Sequence, residues 1–366
     1  MIKIEHLVKQ YPNSSHPVVD DLNLEVNEGE ICVLIGASGC GKTTTMRMIN
    51  RLIPITSGKI MIQGKDIMDT DEIELRRNIG YVIQETGLFP HYTIEKNIAT
   101  VPIEKKWDKK RIDERVSELM QLIDMPESYR TKKPSALSGG QRQRVGVARA
   151  LAGDPPIMLM DEPFGAIDPI TRRHLQDEFL NNIQAKLKKT IVFVTHDIEE
   201  AIRMGDKIAV MQNGKLAQFG TPDEILSRPA NDFVANLVGQ NRMIQRLSLI
   251  SSASDKTTDS FFRMDQTEEI LKAAGTSLYV GIVNNDGAPV GFIDTRKKCP
   301  KTGTEIEQCL IRTNASVSDK QSLYSAMGLM LARGERAVFV TDDLGRAVRL
   351  IDMDAMFEAG GADGET

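Results

Sequence analysis

The sequence predicts an α/β fold with a mostly parallel sheet, followed by a smaller α+β region. Strand-like apolar runs alternate with helical patterns over about the first 240 residues, and a glycine-rich loop joins one of these runs to a helix. A serine-rich stretch near residue 250 then precedes a weak internal repeat. The length of 366 residues allows two or three domains.

The first part of the chain is expected to be rich in strands and to become mainly helical between about residues 92 and 150. Strands of the buried, parallel kind then alternate with helices. The predicted strands are Ile2–Val8, Leu22–Val26, Ile31–Ile35, Gly58–Gln63, Ile79–Gln84, Ile157–Met160, Ile191–Thr195 and Lys207–Met211. The predicted helices include Arg111–Met125, Ile170–Leu187 and Ile198–Met204.

The composition narrows the class of protein. A net charge of −5 argues against a generally basic protein that binds nucleic acid. The four cysteines lack C-x-x-C spacing, so they predict neither a metal site nor a disulfide framework and fit a reducing cytosol. We expect no signal peptide, and no apolar stretch reaches the roughly 20 residues that span a bilayer, so any membrane role would depend on a partner.

The glycine-rich loop Gly36–Thr43 has the pattern G-x-x-x-x-G-K-[ST] of a phosphate-binding loop. Its position between a buried strand and a helix lets backbone N–H groups surround an anion, and the helix amino terminus adds partial positive charge. Lys42 is expected to reach the β and γ phosphates, and the Thr43 hydroxyl is expected to bind Mg²⁺. The predicted nucleotide-binding residues here are Gly36, Ser38, Gly39, Cys40, Gly41, Lys42, Thr43 and Thr44.

Two adjacent carboxylates, Asp161 and Glu162, follow the predicted strand Ile157–Met160. Asp161 can hold Mg²⁺ directly or through a water molecule. Glu162 suits a general base that polarises the attacking water. The alternative interpretation of the pair is a solvated acidic turn.

A second anion site is predicted where Leu137–Gln141 opens a helix. Its Ser-Gly-Gly sequence offers a hydroxyl and N–H groups at a helix amino terminus, which makes candidates of Ser138, Gly139, Gly140 and Gln141. A capped helix start is the alternative. Two phosphate sites in one chain are explained if two copies enclose two nucleotides head to tail, in a two-fold arrangement.

The order of these motifs resembles that of the ATP-binding subunit of an ABC transporter, over about the first 240 residues. The resemblance implies a P-loop ATPase domain at residues 1–240 with a helical subdomain at about 86–150, and it implies ATP and Mg²⁺ as ligands. It assigns roles to four further residues. Gln84 would sense Mg²⁺ and water and couple to the membrane subunit, His196 would contact the γ-phosphate, Asp168 would communicate across the dimer and Tyr11 would stack on adenine.

Residues 80–98 and 227–234 resemble one importer branch, which takes up osmoprotectants such as glycine betaine, carnitine and choline. This implies integral membrane permease subunits, a substrate-binding protein and a location at the cytoplasmic face of the membrane. An importer of another small solute, such as an amino acid, is an alternative. A soluble ABC-type ATPase acting on DNA or ribosomes is a second alternative, which the single phosphate-binding loop and the absence of sustained heptads disfavour.

The tail is predicted to contain two copies of a helix–strand–turn–strand unit, each too small to bury a core alone and therefore expected to pack together. The copies run through Thr267–Ala274 and Gln321–Arg333 as helices, after a linker at 241–257. Residues 258–366 resemble a tandem pair of CBS modules, in diverged form. Such a pair would sense ionic strength or an adenine nucleotide, or would serve only for dimerisation. The Ser/Thr and Asp spacing of modules that bind adenosine is lacking after Asp294 and after Asp352.

Overall fold

The computed structural model describes residues 1–12, 14–83, 87–165, 168–253 and 261–360. It divides into two compact units, the first formed by Met1–Ile225 with Pro229–Leu237 and the second by Leu226–Arg228 with the residues from Val238 onward. No helix within these described ranges is long and apolar enough to cross a membrane.

The first unit contains two sheets that share one apolar core. Strands β1 and β2 pair with each other in the first sheet, β3 runs through the middle of the second, and α1 follows β3 directly. The strands of this unit are β1 Ile2–Lys9, β2 Val19–Val26, β3 Ile31–Gly36, β4 Ser57–Ile62, β5 Lys65–Asp66, β6 Ile79–Val82, β7 Ile157–Asp161, β8 Thr190–Val194, β9 Lys207–Gln212 and β10 Lys215–Gly220. The helices up to β10 are α1 Lys42–Ile49, α2 Glu72–Arg77, α3 Ile94–Ile98, α4 Thr100–Glu104, α5 Lys109–Leu122, α6 Gly139–Leu151, α7 Pro169–Glu178, α8 Ala185–Leu187 and α9 Ile198–Met204.

The larger sheet has the order β10-β9-β3-β8-β7-β6, and only β10 runs antiparallel to its neighbour. Every residue of β3, β7 and β8 is buried, as continuous apolar runs in a parallel sheet predict. The smaller sheet, β2-β1-β4-β5, is antiparallel. A core that includes Met46, Met48 and Ile49 of α1 unites strands of both sheets. The prediction of a mostly parallel α/β sheet is therefore confirmed.

The predicted helix Ile170–Leu187 is interrupted in the structure. Helix α7 ends at Glu178, a π-helical stretch spans Phe179–Gln184, and α8 closes the segment. Lys188 then takes a left-handed conformation with φ +45°, which ends the segment. A continuous helical pattern in the sequence does not distinguish an α-helical turn from a wider π turn, because both keep apolar residues on one side.

The second unit contains two similar halves. Along the chain, the first half contains a short strand, a helix, a hairpin and a second helix, and the second half has the same elements in the same order. Helices α10 Pro222–Ser227 and α11 Asp232–Val238 lie where the chain passes between the units, and most of their residues belong to the first unit. The elements of the second unit are α12 Arg242–Leu247, β11 Phe261–Arg263, α13 Thr267–Ala274, β12 Tyr279–Val283, β13 Pro289–Asp294, α14 Gly303–Cys309, β14 Leu310–Arg312, β15 Ser316–Ser318, α15 Leu323–Arg333, β16 Ala337–Thr341, β17 Ala347–Asp352 and α16 Met353–Gly360.

The two halves pack against each other through aromatic residues. Phe292 of β13 and Phe339 of β16 are almost fully buried in one cluster that also contains Tyr279 and Leu350. The hairpin turns also meet, since the Ala347 N–H donates to the Gly287 carbonyl at 2.8 Å. The expectation that the two repeat copies pack together is confirmed.

Part of the segment expected to be a linker is structured. Residues 242–247 form α12, and Leu247 is buried in the core of the second half with α15 and α16. The Ser252 hydroxyl donates to the Ser318 carbonyl at 2.9 Å. The serine content suggested a linker, but Leu247 and Ile250, three residues apart, place apolar side chains on one side of the chain. The end of the predicted linker, from residue 254, lies outside the described residues.

Candidate functional site

The phosphate-binding loop forms at the carboxyl end of β3, as its sequence predicts. Gly41 has φ +106°, and a Cβ at that position would lie 2.6 Å from the Val18 carbonyl oxygen, so only glycine fits. Ala37, Ser38 and Gly39 are exposed at the tip of the loop, whereas Gly36 and Cys40 are buried. The loop therefore presents its backbone to solvent at the amino terminus of α1, where an anion is favoured.

Lys42 lies across the loop rather than extending away from it. The side chain is only 7% exposed, and its Nζ donates to the carbonyls of Gly36 at 2.7 Å and Ala37 at 3.1 Å. A buried ammonium held by carbonyl dipoles is costly unless it meets an anion. Its position beside the loop tip is suited to a phosphate group.

The Thr43 hydroxyl and the Asp161 carboxylate come together from α1 and β7. Thr43 Oγ1 donates to Asp161 Oδ1 at 3.1 Å. Asp161 is 6% exposed, and burial raises its pKa while the Thr43 hydrogen bond opposes that shift. Two hard oxygen ligands beside a phosphate-binding loop fit Mg²⁺, whose charge would offset the burial of the carboxylate.

Glu162 and His196 also meet at this edge of the sheet. Glu162 Oε1 lies 3.3 Å from His196 Nδ1, and the Glu162 N–H donates to the carbonyl of Val194 at 2.9 Å. Glu162 has φ +44°, a left-handed conformation that costs about 1 kcal/mol or more for a residue other than glycine. The surrounding sheet holds this conformation and so directs the carboxylate toward the loop that carries His196.

Ser138–Gln141 forms a reciprocal cap at the start of α6. The Gln141 N–H donates to Ser138 Oγ at 3.2 Å, and Gln141 Oε1 accepts from the Ser138 N–H at 3.0 Å. Ser138 and Gly139 are exposed, and a Cβ at Gly140 would touch Leu175 of α7 at 3.4 Å. The capped helix start therefore exists, and it leaves the predicted anion site open to solvent.

The remaining predicted site residues occupy separate places. Asp168 is the N-cap of α7, where its carboxylate accepts from the Thr171 N–H at 3.0 Å, and hydrogen bonds to this carboxylate lower its pKa. The Tyr11 ring is 41% exposed, with Lys9 Nζ 4.9 Å from its centroid. Thr44 is half-buried on α1. Gln84 lies outside the described residues.

Sequence reasoning missed a group of buried polar residues behind His196. Glu200, Gln176 and Thr195 are each at most 6% exposed, and the Gln176 amide donates to the Glu200 carboxylate at 2.8 Å. The signal was weak, because Glu199 and Glu200 are adjacent acids in a helix and look alike in the sequence. Only the packing reveals that one is exposed and the other buried.

The chain is similar to known transport ATPases. The sequence profile described as "ABC transporter" matches residues 19–165. The osmoprotectant import ATP-binding protein OsmV of Salmonella typhimurium is 48% identical over 314 residues, which are 81% of this chain and 80% of that protein. The glycine betaine/carnitine/choline transport ATP-binding protein OpuCA of Bacillus subtilis is 54% identical over 300 residues, 80% of this chain and 78% of that protein.

A solved structure also matches the fold. It is described as the dimeric post-hydrolysis state of the ATP-binding cassette MJ0796 bound to ADP and Pi, and it is 33% identical, with a TM-score of 0.55, over 61% of this chain and 99% of that one. The match agrees with the P-loop α/β fold that the larger sheet displays. This chain therefore belongs to the ABC transporter family, as one of its ATP-hydrolysing subunits.

Proposed function

We propose that the edge of the larger sheet binds Mg-ATP and hydrolyses it with the residues that the sequence singled out. The observation that carries this proposal is the convergence of two pairs of side chains at the carboxyl ends of β7 and β8. Thr43 of α1 meets Asp161 at the end of β7, at 3.1 Å. Glu162, directly after β7, meets His196, which follows β8, at 3.3 Å. Lys42 and the loop N–H groups would bind the β and γ phosphates, and Tyr11 would stack on adenine with its exposed ring.

Each carboxylate would have a separate task. Thr43 and Asp161, with Gln84, would hold Mg²⁺, which neutralises charge on the phosphates when it is bound. Glu162 would accept a proton from the attacking water, as a general base. His196 would contact the γ-phosphate, and its Nδ1 neighbour Glu162 would orient the ring.

We further propose that two copies of the chain form a head-to-tail dimer around two ATP molecules. Ser138, Gly139 and Gly140, in a solvent-facing cap, would contact the γ-phosphate bound by the loop of the partner subunit, and Asp168 would lie near the shared boundary. Hydrolysis would remove the phosphate that holds the copies together, so the dimer would open. The dimer described for MJ0796 with ADP and Pi supports this assembly.

The transported solute is proposed to be a quaternary-amine osmoprotectant, imported through separate permease subunits at the cytoplasmic face of the membrane with a substrate-binding protein. The names of OsmV and OpuCA support this class. The test is uptake of radiolabelled glycine betaine, carnitine and choline by cells with and without this chain, at low and high osmolarity. Loss of osmotically stimulated uptake is expected. Unchanged uptake of all three compounds would show that the solute assignment is wrong. The alternative, an importer of another small solute, would then remain.

Residues 258–366, which form most of the second unit, are proposed to be a regulatory pair of CBS-like modules. They would follow an ATPase domain at 1–240 and a connecting segment at 241–257. The two similar halves of the second unit and their shared aromatic cluster support a tandem pair. Removing residues 258–366 should leave ATP binding intact and abolish the response of transport to ionic strength. A truncated chain whose transport still responds to ionic strength would place the sensor elsewhere.

A further inference from the structure

A buried polar chain connects the residue before His196 to helix α7. Thr195, Glu200 and Gln176 are 2%, 6% and 5% exposed. The Gln176 amide donates to Glu200 Oε1 at 2.8 Å. A side-chain hydrogen bond with Thr195 lowers the pKa of the same carboxylate. Thr195 Oγ1 also accepts from the Asp197 N–H at 3.1 Å, so the backbone on both sides of His196 is fixed to this chain of hydrogen bonds.

Packing alone does not account for a carboxylate in this place. Burial raises the pKa of Glu200, and the hydrogen bonds from Thr195 and Gln176 oppose that shift only in part. Replacing such a buried polar group by apolar side chains is often neutral or stabilising. A role in setting geometry is therefore a better explanation for Glu200 than a role in stability.

Helix α7 meets the His196 segment with one of its faces. Asp168, Arg172 and Gln176 follow at intervals of four residues, which places them in one row along the helix. Asp168 caps α7, Arg172 Nη1 lies 3.4 Å from Asp197 Oδ2, and Gln176 binds Glu200. The helix is thus connected at two points to the segment 195–200.

The same helix contacts the start of α6 with other residues. A Cβ at Gly140 would lie 3.4 Å from Leu175 Cδ1 and 3.5 Å from Thr171 Cγ2, which shows how closely the two helices approach. Glu178 Oε2 accepts from Arg144 Nη2 at 2.8 Å. Helix α7 therefore lies between the His196 segment and the helix that begins with Ser138–Gly140.

We propose that Glu200 is a positioning residue that fixes the Thr195-His196 peptide, so that the imidazole faces Glu162, and that Gln176 makes this placement depend on α7. A shift of α7 against α6 would then move His196, which links the two phosphate-contacting parts of one subunit. The proposal rests on the role proposed above for His196.

The test compares the full-length chain with Gln176→Leu, Glu200→Leu, the double variant Gln176→Leu/Glu200→Leu, His196→Ala and the control Glu199→Gln. Glu199 is an exposed acid on the same helix as Glu200. For each protein, kcat and KM for ATP and the thermal unfolding midpoint are measured. The imidazole resonance of His196 is also recorded, since only five histidines are present and His196→Ala identifies it.

Each single leucine variant should lower kcat by about tenfold or more, with a smaller change in KM, because a misplaced contact group weakens the transition state more than substrate binding. The His196 resonance should shift in the same variants. The double variant should have the unfolding midpoint of the unchanged protein, because neither the carboxylate nor the amide is left buried without its partner. Its kcat should stay as low as that of the single variants. Glu199→Gln should match the unchanged protein.

Recovery of both the midpoint and kcat in the double variant would overturn the proposal, because the network would then be structural only. Unchanged kcat and an unchanged His196 resonance in both single variants would overturn it as well. If His196→Ala retained full turnover, the proposed role of His196 would be wrong, and this inference would fall with it. A lowered kcat in His196→Ala together with a normal kcat in the leucine variants would contradict the role of Glu200 and Gln176, while the proposed role of His196 would stand.

Discussion

At the scale of single residues, the roles proposed for Lys42 and Glu162 differ: Lys42 would bind ATP and Glu162 would assist its hydrolysis. Lys42 Nζ now binds two carbonyls of its own loop and would exchange them for phosphate oxygens. Lys42→Ala should weaken ATP binding by about tenfold to a hundredfold, since a hydrogen bond to a charged group is worth about 1.5–3 kcal/mol. Titration with a fluorescent ATP analogue measures this. Lys42→Met, which keeps the apolar stem of the side chain, should bind ATP as weakly as Lys42→Ala. Unchanged ATP affinity in both variants would mean that the loop is not the nucleotide site.

Glu162→Gln should separate binding from hydrolysis. The glutamine keeps the size of the side chain but cannot accept the proton of water, so turnover should fall by about a hundredfold or more while ATP affinity is retained. Single-turnover hydrolysis with equilibrium ATP binding measures both. If Glu162→Gln hydrolysed ATP at the normal rate, Glu162 would not be the general base, even though it contacts His196.

Glu200 predicts a pH dependence of stability. Burial is the largest cause that raises its pKa above the ordinary 4.5, with Asp197 acting in the same direction and Thr195, Gln176 and Arg172 opposing. The native state therefore holds the proton more tightly than the unfolded state, and the contribution of Glu200 to stability falls as pH rises from its ordinary pKa through its raised one.

Glu200→Gln does not titrate, so its stability relative to the unchanged protein should rise over the same pH window and then level off. Urea unfolding midpoints at a series of pH values from about 4 to 8 provide the measurement, with Glu199→Gln as the exposed control. A constant difference between Glu200→Gln and the unchanged protein across this range would show that Glu200 titrates alike in both states.

At the scale of elements, Asn97 holds together the segment before α3. The side chain is fully buried, and Oδ1 accepts from the Phe89 N–H at 2.8 Å while Nδ2 donates to the carbonyls of Phe89 and Thr93. Asn97→Ala should destabilise the chain by about 1–3 kcal/mol, because these backbone groups lose their partner. Urea unfolding and hydrogen exchange at the Phe89 amide measure the effect. The exposed Asn27→Ala is the control, and protection of Phe89 that survives Asn97→Ala would contradict the assignment.

The elements also show where sequence reasoning succeeds. Helix α9 was predicted with the bounds that it has, and β7 and β8 were located because an unbroken apolar run has few alternatives in an α/β fold. The phosphate-binding loop was predicted from glycine positions that sterics enforce, as at Gly41. Local pattern is sufficient where one local constraint decides the structure.

Sequence reasoning fails where tertiary contacts decide. Glu200 and Gln176 are polar, and their burial depends on two helices meeting, which no local pattern encodes. Only the last residue of strand β10 is buried, so the strand lacks the buried apolar run of β7 and β8, and it pairs with β9. Helix α12 lies beside serines that suggest a linker, yet Leu247 fits the core formed with α15 and α16.

At the scale of the whole molecule, the proposed head-to-tail dimer leads to a prediction about mixtures of two variants. Each shared site would take Lys42 from one copy and Gly140 from the other. In a Glu162→Gln background, Lys42→Ala should fail to dimerise with Mg-ATP because it binds ATP poorly. Gly140→Asp should fail because a carboxylate would face the γ-phosphate of the partner, although its own loop still binds ATP.

An equal mixture of these two variants contains every part of one complete site. The Gly140→Asp copy supplies an intact loop, and the Lys42→Ala copy supplies an intact Ser138–Gly140 segment, so one ATP can join them. Light scattering with Mg-ATP should therefore detect dimers in the mixture but in neither variant alone. The mixture should need a higher protein concentration than the Glu162→Gln parent, because one ATP joins the two copies instead of two. The contradicting outcome is a mixture that stays monomeric even at protein concentrations far above those at which the Glu162→Gln parent dimerises. In that case the loop and the Ser138–Gly140 segment would not share a nucleotide between copies.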